Sequence, residues 1–149
     1  MTSFALDLRE YVAKVKGDID AITRTAISDV ANRIISASPV GDAVTWKHPP
    51  PPGYVGGRFK GAWSLTLDGP DSAVYRTIDP SGDASKQRVE AAIPTQASGK
   101  LYYLTNNTPY AMRLEDGWSY MQAPLGIVGL VVFDWAEIIA EAVAKVKAS

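Results

Sequence analysis

The first 36 residues constrain the fold most, because they carry one long apolar repeat. Apolar side chains recur at steps of three and four residues from residue 4 to residue 36, which predicts an amphipathic helix. The repeat consists of Leu8, Val12, Val15, Ile19, Ile22, Ala26, Val30 and Ile34. Thr2 or Ser3 is the candidate N-cap, and Gly17 is a candidate kink. Ser38-Pro39 ends the helix, because the residue before a proline avoids helical geometry.

The length of this helix has a consequence for the rest of the molecule. At 1.5 Å per residue it runs about 50 Å, which exceeds the diameter expected for a domain of this size. Part of it therefore extends past its own core. Two interpretations stay open: the helix simply packs on a sheet, or its protruding half covers a neighbouring subunit.

Composition limits the class of protein. A chain of 149 residues is most typical of a single compact domain (residues 1–149), which buries roughly 70% of its unfolded-chain surface. Fifteen Lys and Arg against sixteen Asp and Glu give a net charge of -1, without the basic excess of a duplex-binding domain. The absence of cysteine excludes disulfides and thiolate metal sites. No apolar run approaches the roughly 20 residues that a membrane span needs, so a soluble, unprocessed protein is expected.

The remaining chain predicts short elements. Alternating apolar and polar residues indicate a strand at 63–67, and a second, weaker strand is predicted at 74–78. A third is predicted at 101–105, which is rich in aromatic and β-branched residues. Short helices are predicted at 84–92 and at 109–115, the second begun by a proline and closed by Gly117. A second amphipathic helix is predicted over 126–147. The expected fold is α+β: a long N-terminal helix, a small and mostly antiparallel sheet with short helical inserts, and a C-terminal helix.

Residues 39–57 form a proline- and glycine-rich segment, here called the arm. Its centre, Pro49 to Gly53, favours extended polyproline II conformation without internal hydrogen bonds. The arm also carries Trp46, His48 and Tyr54. Aromatic side chains on a stiff arm suit an intersubunit anchor, and a loop folded over its own core is an equal alternative.

Catalytic and metal-binding patterns are weak. His48 is the only histidine, which leaves few ligands for a metal and no base for a nucleophile. Glycines around residues 53–57 lack the Gly-Lys-Ser/Thr ending of a phosphate loop. The carboxylate pairs Glu115-Asp116 and Asp68/Asp71 lack the apolar surroundings that raise a catalytic pKa. We therefore expect no cofactor, no metal and no enzymatic activity, with a hydrolase as the least supported alternative.

Nucleic-acid binding is the stronger alternative of another class. Arg58 and Lys60 lie close in sequence to Trp63, a mixture that single-strand binders use. Basic residues also punctuate the first helix, but acidic residues are interleaved with them. A solvated helix face is the preferred interpretation of that charge.

Several segments, taken as a set and in order, resemble a known family. They are Ser38-Pro39-Val40-Gly41, then 57–63 (GRFKGAW), then 79–82 (DPSG), then 103–111 (YLTNNTPYA), then 114–119 (LEDGWS) and 122–124 (QAP). This pattern is similar to that of the bacteriophage minor tail and tail-completion proteins, which join head to tail at the neck. In this chain a proline-rich insert within the arm separates Pro39-Val40-Gly41-Asp42 from Gly57-Arg58, where the family has one continuous motif, and the role of the inserted residues stays open.

The resemblance implies a function without catalysis. It implies a structural virion protein of the head-tail junction, assembled in the host cytoplasm as a homo-oligomeric ring, expected to be a hexamer. Neighbouring connector or stopper, tail-terminator and tail-tube proteins would be its partners, with no membrane and with DNA at most passing through the ring lumen. A tail terminator that caps the tube is the alternative within the same class.

Six residues are the candidates for protein contacts. Trp118 and Tyr120 are aromatic residues on a predicted loop, a type enriched at interfaces. The others lie on the arm or in the segments that carry the resemblance. The predicted interface residues are Trp46, Tyr54, Arg58, Trp118, Tyr120 and Gln122.

Overall fold

The computed structural model describes residues 3–149, with the side chain of Ser3 left out. In chain order its elements are helix α1 (Ser3–Ala37), strand β1 (Trp63–Thr66), helix α2 (Asp83–Ala92), strand β2 (Tyr103–Asn106) and helices α3 (Ala111–Glu115), α4 (Val128–Phe133) and α5 (Trp135–Ala148). Short 3₁₀ turns span Ala43–Thr45 and Lys60–Ala62. This confirms the predicted α+β fold. The candidate cap at Thr2 lies outside the described residues.

The long helix forms as predicted and is continuous through Gly17. It ends at Ala37, where the Ser38 hydroxyl donates to the Ile34 carbonyl oxygen (2.8 Å). The indole Nε1 of Trp63 in turn donates to the Ser38 hydroxyl (2.8 Å), so one serine both closes α1 and satisfies a buried indole. Removing that hydroxyl would leave a buried donor without a partner.

The sheet has two antiparallel strands. Trp63 pairs with Asn106, and Thr66 pairs with Tyr103. Asn106 ends β2, as its turn-forming side chain predicts, and its amide nitrogen donates to the Phe59 carbonyl oxygen (2.9 Å).

One apolar cluster joins α1, the sheet, α2, α4 and α5. Isoleucine and aromatic side chains dominate it, and they come from the C-terminal half of α1, from residues 59–63 and from the segments that face α1. The members of the cluster include Ile34, Ile35, Phe59, Trp63, Val89, Ile127, Val131 and Ile138. Antiparallel packing of α5 along α1 is flanked by two ion pairs, Arg33–Glu141 and Lys145–Asp29, each at 2.7 Å.

The predicted strand at Val74–Ile78 is wrong. Residues 71–79 have no regular structure, and Val74 and Ile78 are about half exposed. Side chains hold the segment in place of a backbone ladder: the Arg88 guanidinium stacks 4.2 Å from the centre of the Tyr75 ring, and the Asn107 amide donates to the Asp71 and Ala73 carbonyl oxygens. Apolar alternation without burial did not produce a strand here.

The C-terminal region also differs from the prediction. The single helix expected over 126–147 is two helices, separated at Asp134, whose backbone leaves helical geometry (φ −87°, ψ 11°). α4 is anchored at its start by Glu115, whereas α5 follows α1 through its ion pairs. The predicted helix at 109–115 likewise begins later, at Ala111, although Gly117 adopts the expected left-handed conformation (φ 85°).

Candidate protein-interaction site

The segments that carry the family resemblance mostly hold the fold together. Both carboxylate oxygens of Asp79 accept backbone N–H groups at the start of α2, from Gly82 (3.0 Å) and Ser85 (3.1 Å). Gly57 has φ 111°, and a side chain there would collide with the backbone of Pro80. These roles are structural. Arg58, in contrast, is exposed.

The arm is a loop closed at its base. A side chain at Gly56 would collide with the Gly41 carbonyl oxygen, and one at Gly41 would collide with the Tyr54 hydroxyl. Glycine at both positions lets the two ends of the arm approach each other closely at its base. The two parts of the motif that the insert separates in sequence are therefore adjacent in space.

Aromatic side chains meet within the arm. The rings of Trp46 and Tyr54 pack with centroids 4.6 Å apart at an interplanar angle of 52°. Both remain partly exposed, at 42% and 37%. Most of the arm from Asp42 to Val55 is exposed, so it is neither buried in the core nor an unstructured extension.

A second loop, residues 116–126, faces the arm and is closed by Glu115. The Glu115 carboxylate accepts the backbone N–H groups of Ile127 (3.0 Å), Val128 (2.9 Å) and Gly129 (2.9 Å), which caps the start of α4. Partial burial opposes its charge, but these three donors together outweigh that effect and lower the pKa of Glu115. The loop is thus clamped at its base by a carboxylate that is ionised at neutral pH.

Gln122 joins the two loops. Its side-chain oxygen accepts the Val40 N–H (2.8 Å), and its side-chain nitrogen donates to the Val40 carbonyl oxygen (2.7 Å). A side-chain amide matched to a backbone amide in this way fixes the spacing between the arm and the second loop. The role of Gln122 in the isolated chain is therefore to position the walls of the cleft between them.

The six predicted interface residues all line this cleft, which has a volume of about 750 Å³. Its floor contains Phe59, Tyr110 and Leu114. Its rim includes Trp118, Tyr120 and Met121, which are 66%, 75% and 69% exposed. The volume lies within the range of about 300–1,000 Å³ that is usual for binding clefts.

The cleft lining contains one cation, Arg58, and one carboxylate, Asp42, which accepts the backbone N–H of Val44 (3.0 Å). Burial raises the pKa of the Tyr110 phenol, while the nearby positive charge of Arg58 acts in the opposite direction. Arg58 makes no ion pair with any residue of the described range 3–149. The Arg113 guanidinium lies 4.9 Å from the centre of the Trp118 ring, a cation–π contact that orients the indole on the rim. The cleft therefore combines an apolar aromatic floor with an available cation.

One member of each carboxylate pair has a structural role. Glu115 caps α4, as described above. Asp71 accepts the backbone N–H of Ala73 (2.9 Å) and the Tyr75 hydroxyl (2.9 Å), and these hydrogen bonds lower the pKa of Asp71. A general acid needs a raised pKa. Over residues 3–149, no group of three or more His, Cys, Asp or Glu side chains could hold a metal ion.

Arg58, Lys60 and Trp63, on which the nucleic-acid alternative depends, do not share one exposed surface, because Trp63 is buried. Trp63 is 5% exposed and its indole nitrogen is bonded to Ser38, so its ring offers no stacking surface beside Arg58 and Lys60.

Three more residues of the cleft were not singled out from the sequence. Phe59 and Tyr110 form its floor, and Met121 lies on its rim. In sequence, Phe59 and Tyr110 resemble ordinary core positions. The only sequence feature that could have indicated Met121 as a cleft residue is that it follows Tyr120, a predicted interface residue.

A second apolar surface lies on α1. From Phe4 to Ile19 the helix is exposed at nearly every position, with Val15 partly covered. Phe4, Leu8 and Tyr11 are 76%, 51% and 66% exposed. At 1.5 Å per residue this projecting half of α1 (residues 4–19) extends about 24 Å.

No protein-family model, curated protein or solved structure matches this chain. Between residues 3 and 149, no helix has the length and apolar character needed to cross a membrane.

Proposed function

We propose that this protein is a structural subunit of the head-tail junction of a long-tailed bacteriophage, where it completes the tail or joins it to the head. Its action is binding, in a homo-oligomeric ring and to adjacent neck or tail proteins, and it has no catalytic activity. The phage setting rests on the resemblance of segments 38–41, 57–63, 79–82, 103–111 and 114–124.

One observation carries the proposal that the chain assembles: the projecting half of α1 leaves large apolar side chains in water. Soluble monomers rarely expose a contiguous apolar patch of more than a few hundred Å². Phe4, Leu8, Tyr11, Val12 and Ile19 are each at least 44% exposed on one helix. A partner that covers them would remove this surface from water, which favours association.

The cleft supports the same proposal independently. Its rim contains two tryptophans and two tyrosines, the side chains most enriched among residues that dominate binding energy. The cleft begins at Pro39, just beyond the end of α1 at Ala37, and Ile19 lies about 27 Å of helix away from Ala37. The chain therefore has two distinct surfaces. Two different surfaces on one subunit are what a head-to-tail ring requires.

The test is the composition of purified virions. Quantitative mass spectrometry of particles from the phage that encodes the chain is expected to find about six or twelve copies per particle, located at the neck by antibody labelling in electron micrographs. Genes for portal, connector and tail-tube proteins should flank its own gene. Absence of the protein from virions would overturn the proposal.

A further inference from the structure

We infer that the projecting half of α1 docks into the cleft of a second copy of this chain. The inference rests on the proposed function, because it identifies the contact by which successive subunits of the ring join. The argument for this contact starts from α5, which covers the C-terminal half of α1 within the same chain.

The apolar repeat on α1 has a period of 11 residues over three turns. Leu8, Ile19 and Val30 therefore lie on one line along the helix, and Asp7, Asp18 and Asp29 lie on the line beside it. Since 11 residues in three turns is close to the natural 3.6 residues per turn, both lines run nearly straight. Along these two lines the projecting half repeats the surface of the covered half, whereas Arg33 is replaced by Ile22 and Tyr11 at the equivalent positions.

The covered half shows what this surface accepts. α5 packs there with the buried side chains of Ile138 and Ala142, and its Lys145 forms an ion pair with Asp29 on the acidic line. α5 therefore supplies apolar surface, a cation for the acidic line and a carboxylate, Glu141, which pairs with Arg33. Asp7 and Asp18, the equivalents of Asp29, form no ion pair within residues 3–149.

The cleft offers the same combination. Aromatic rings form its floor and rim, and Arg58 supplies a cation without an ion-pair partner in the described chain. An amphipathic helix lying in an apolar groove is a common mode of recognition, with anchors three and four residues apart along one face. On α1 these anchors are Phe4, Leu8, Tyr11 and Val15.

Pairing of α1 with α1 from a second copy is the competing arrangement. Such a two-fold contact uses one surface twice and closes at a dimer, which leaves the cleft and Arg58 without a partner. Docking of α1 into the cleft uses both surfaces in each subunit. The head-to-tail contact therefore accounts for both unpartnered surfaces, whereas the two-fold contact accounts for one.

Disulfide cross-linking tests this arrangement cleanly, because the chain has no cysteine. Leu8→Cys and Met121→Cys variants of the full chain are purified separately, one with a mass tag, and mixed under mild oxidation. We expect a disulfide-linked heterodimer of about twice 16.0 kDa that forms preferentially in the mixture. Glu10→Cys, on the opposite face of α1, is the matched control and should link at least tenfold less to Met121→Cys. Linking of Leu8→Cys mainly to itself, or no preference over the control, would overturn the inference.

A charge swap provides a second test that needs no thiol. Arg58→Glu should weaken self-association by about tenfold in sedimentation experiments, because it places a carboxylate beside the acidic line that carries Asp7 and Asp18. Changing both aspartates to arginine should restore association in the Arg58→Glu background. Failure of that restoration, in variants with unchanged circular dichroism, would contradict the docking.

The outcomes of these tests are separate from those of the proposed function. If the protein is present in virions but the cross-link does not form, only the docking is overturned. If the cross-link forms but the protein is absent from virions, only the neck assignment is overturned.

Discussion

The two halves of α1 carry the same apolar repeat and have opposite environments. From Ala26 to Ile35 the repeat is covered by α2, α4 and α5, and Ile35 is 0% exposed. From Phe4 to Ile19 no other element of the described chain covers it, and Ile19 is 47% exposed. A periodic pattern thus establishes that a helix forms, but not what the helix packs against.

Under the proposed function, this difference separates residues that stabilise the monomer from residues that would stabilise an assembly. The cleft shows the same division on a smaller scale, since Glu115 clamps its base while Trp118 and Tyr120 stand on its rim. Substitutions in the two classes should therefore affect different measurements.

The largest effect is expected in the covered half. Ile35→Ala should lower the free energy of unfolding by about 2–5 kcal/mol, because it leaves a cavity in a fully packed site. The matched variant Ile19→Ala should change it by about 0.5 kcal/mol or less while weakening self-association. Denaturant unfolding and sedimentation at the same protein concentration measure both quantities. Equal losses of monomer stability in the two variants would show that both halves of α1 are packed to the same degree, contrary to this account.

The base of the cleft should show a smaller loss that depends on pH. Glu115→Gln removes the charge that caps α4 and should cost about 1 kcal/mol at neutral pH. Because its pKa is lowered in the folded chain, the stabilisation by Glu115 is fully present above its ordinary value of 4.5 and is lost as pH falls through the lowered pKa. The difference between wild type and Glu115→Gln in urea melts should therefore shrink below pH 4.5. A difference that stays constant from neutral to acidic pH would contradict the capping role.

Gly17, in the projecting half of α1, is a position where a substitution should stabilise the helix. A side chain at Gly17 meets no atom within 4 Å, so Gly17→Ala should favour the helix by about 0.5–1 kcal/mol. Helicity measured by circular dichroism should rise. Fraying of the N-terminal end of α1 on warming, before the global unfolding transition, should diminish. Gly57→Ala is the contrasting variant, since its positive φ and the nearby Pro80 backbone make it destabilising. A loss of helicity in Gly17→Ala would show that this half of α1 is not free.

The smallest effect on monomer stability is expected from the arm. Deletion of residues 46–54 should leave cooperative melting unchanged within about 0.5 kcal/mol, because the contact of Gly41 with Gly56 closes the loop at its base. Assembly should weaken, since Trp46 and Tyr54 are lost from the cleft. Calorimetry and sedimentation of the deletion variant check both. Loss of cooperative melting would place the arm in the core.

The sequence predicted the elements that depend on local pattern. α1, α2 and both observed strands were found because capping, proline stops and apolar spacing act within a few residues. The strand at 74–78 was wrong because Arg88 and Asn107, distant in sequence, hold that segment by side-chain contacts. The break at Asp134 was missed because the apolar spacing continues through it.

For the candidate site, the sequence identified the residues but not their arrangement. Trp46 and Trp118 stood out as aromatic residues in loops, and the structure places both on one cleft. Their convergence depends on the hydrogen bonds from Gln122 to Val40 and on the glycine contact that closes the arm. Such pairings over about 80 residues leave no signal in a single sequence.

Amide hydrogen exchange over the two halves of α1 tests the central claim most directly. In a dilute monomer, peptides from residues 26–37 should exchange slowly and peptides from residues 4–19 quickly. On assembly, at high concentration or in purified particles, the projecting half should become protected while the covered half changes little. Rapid exchange of residues 4–19 in the assembled state, or equal protection of both halves in the monomer, would contradict the account.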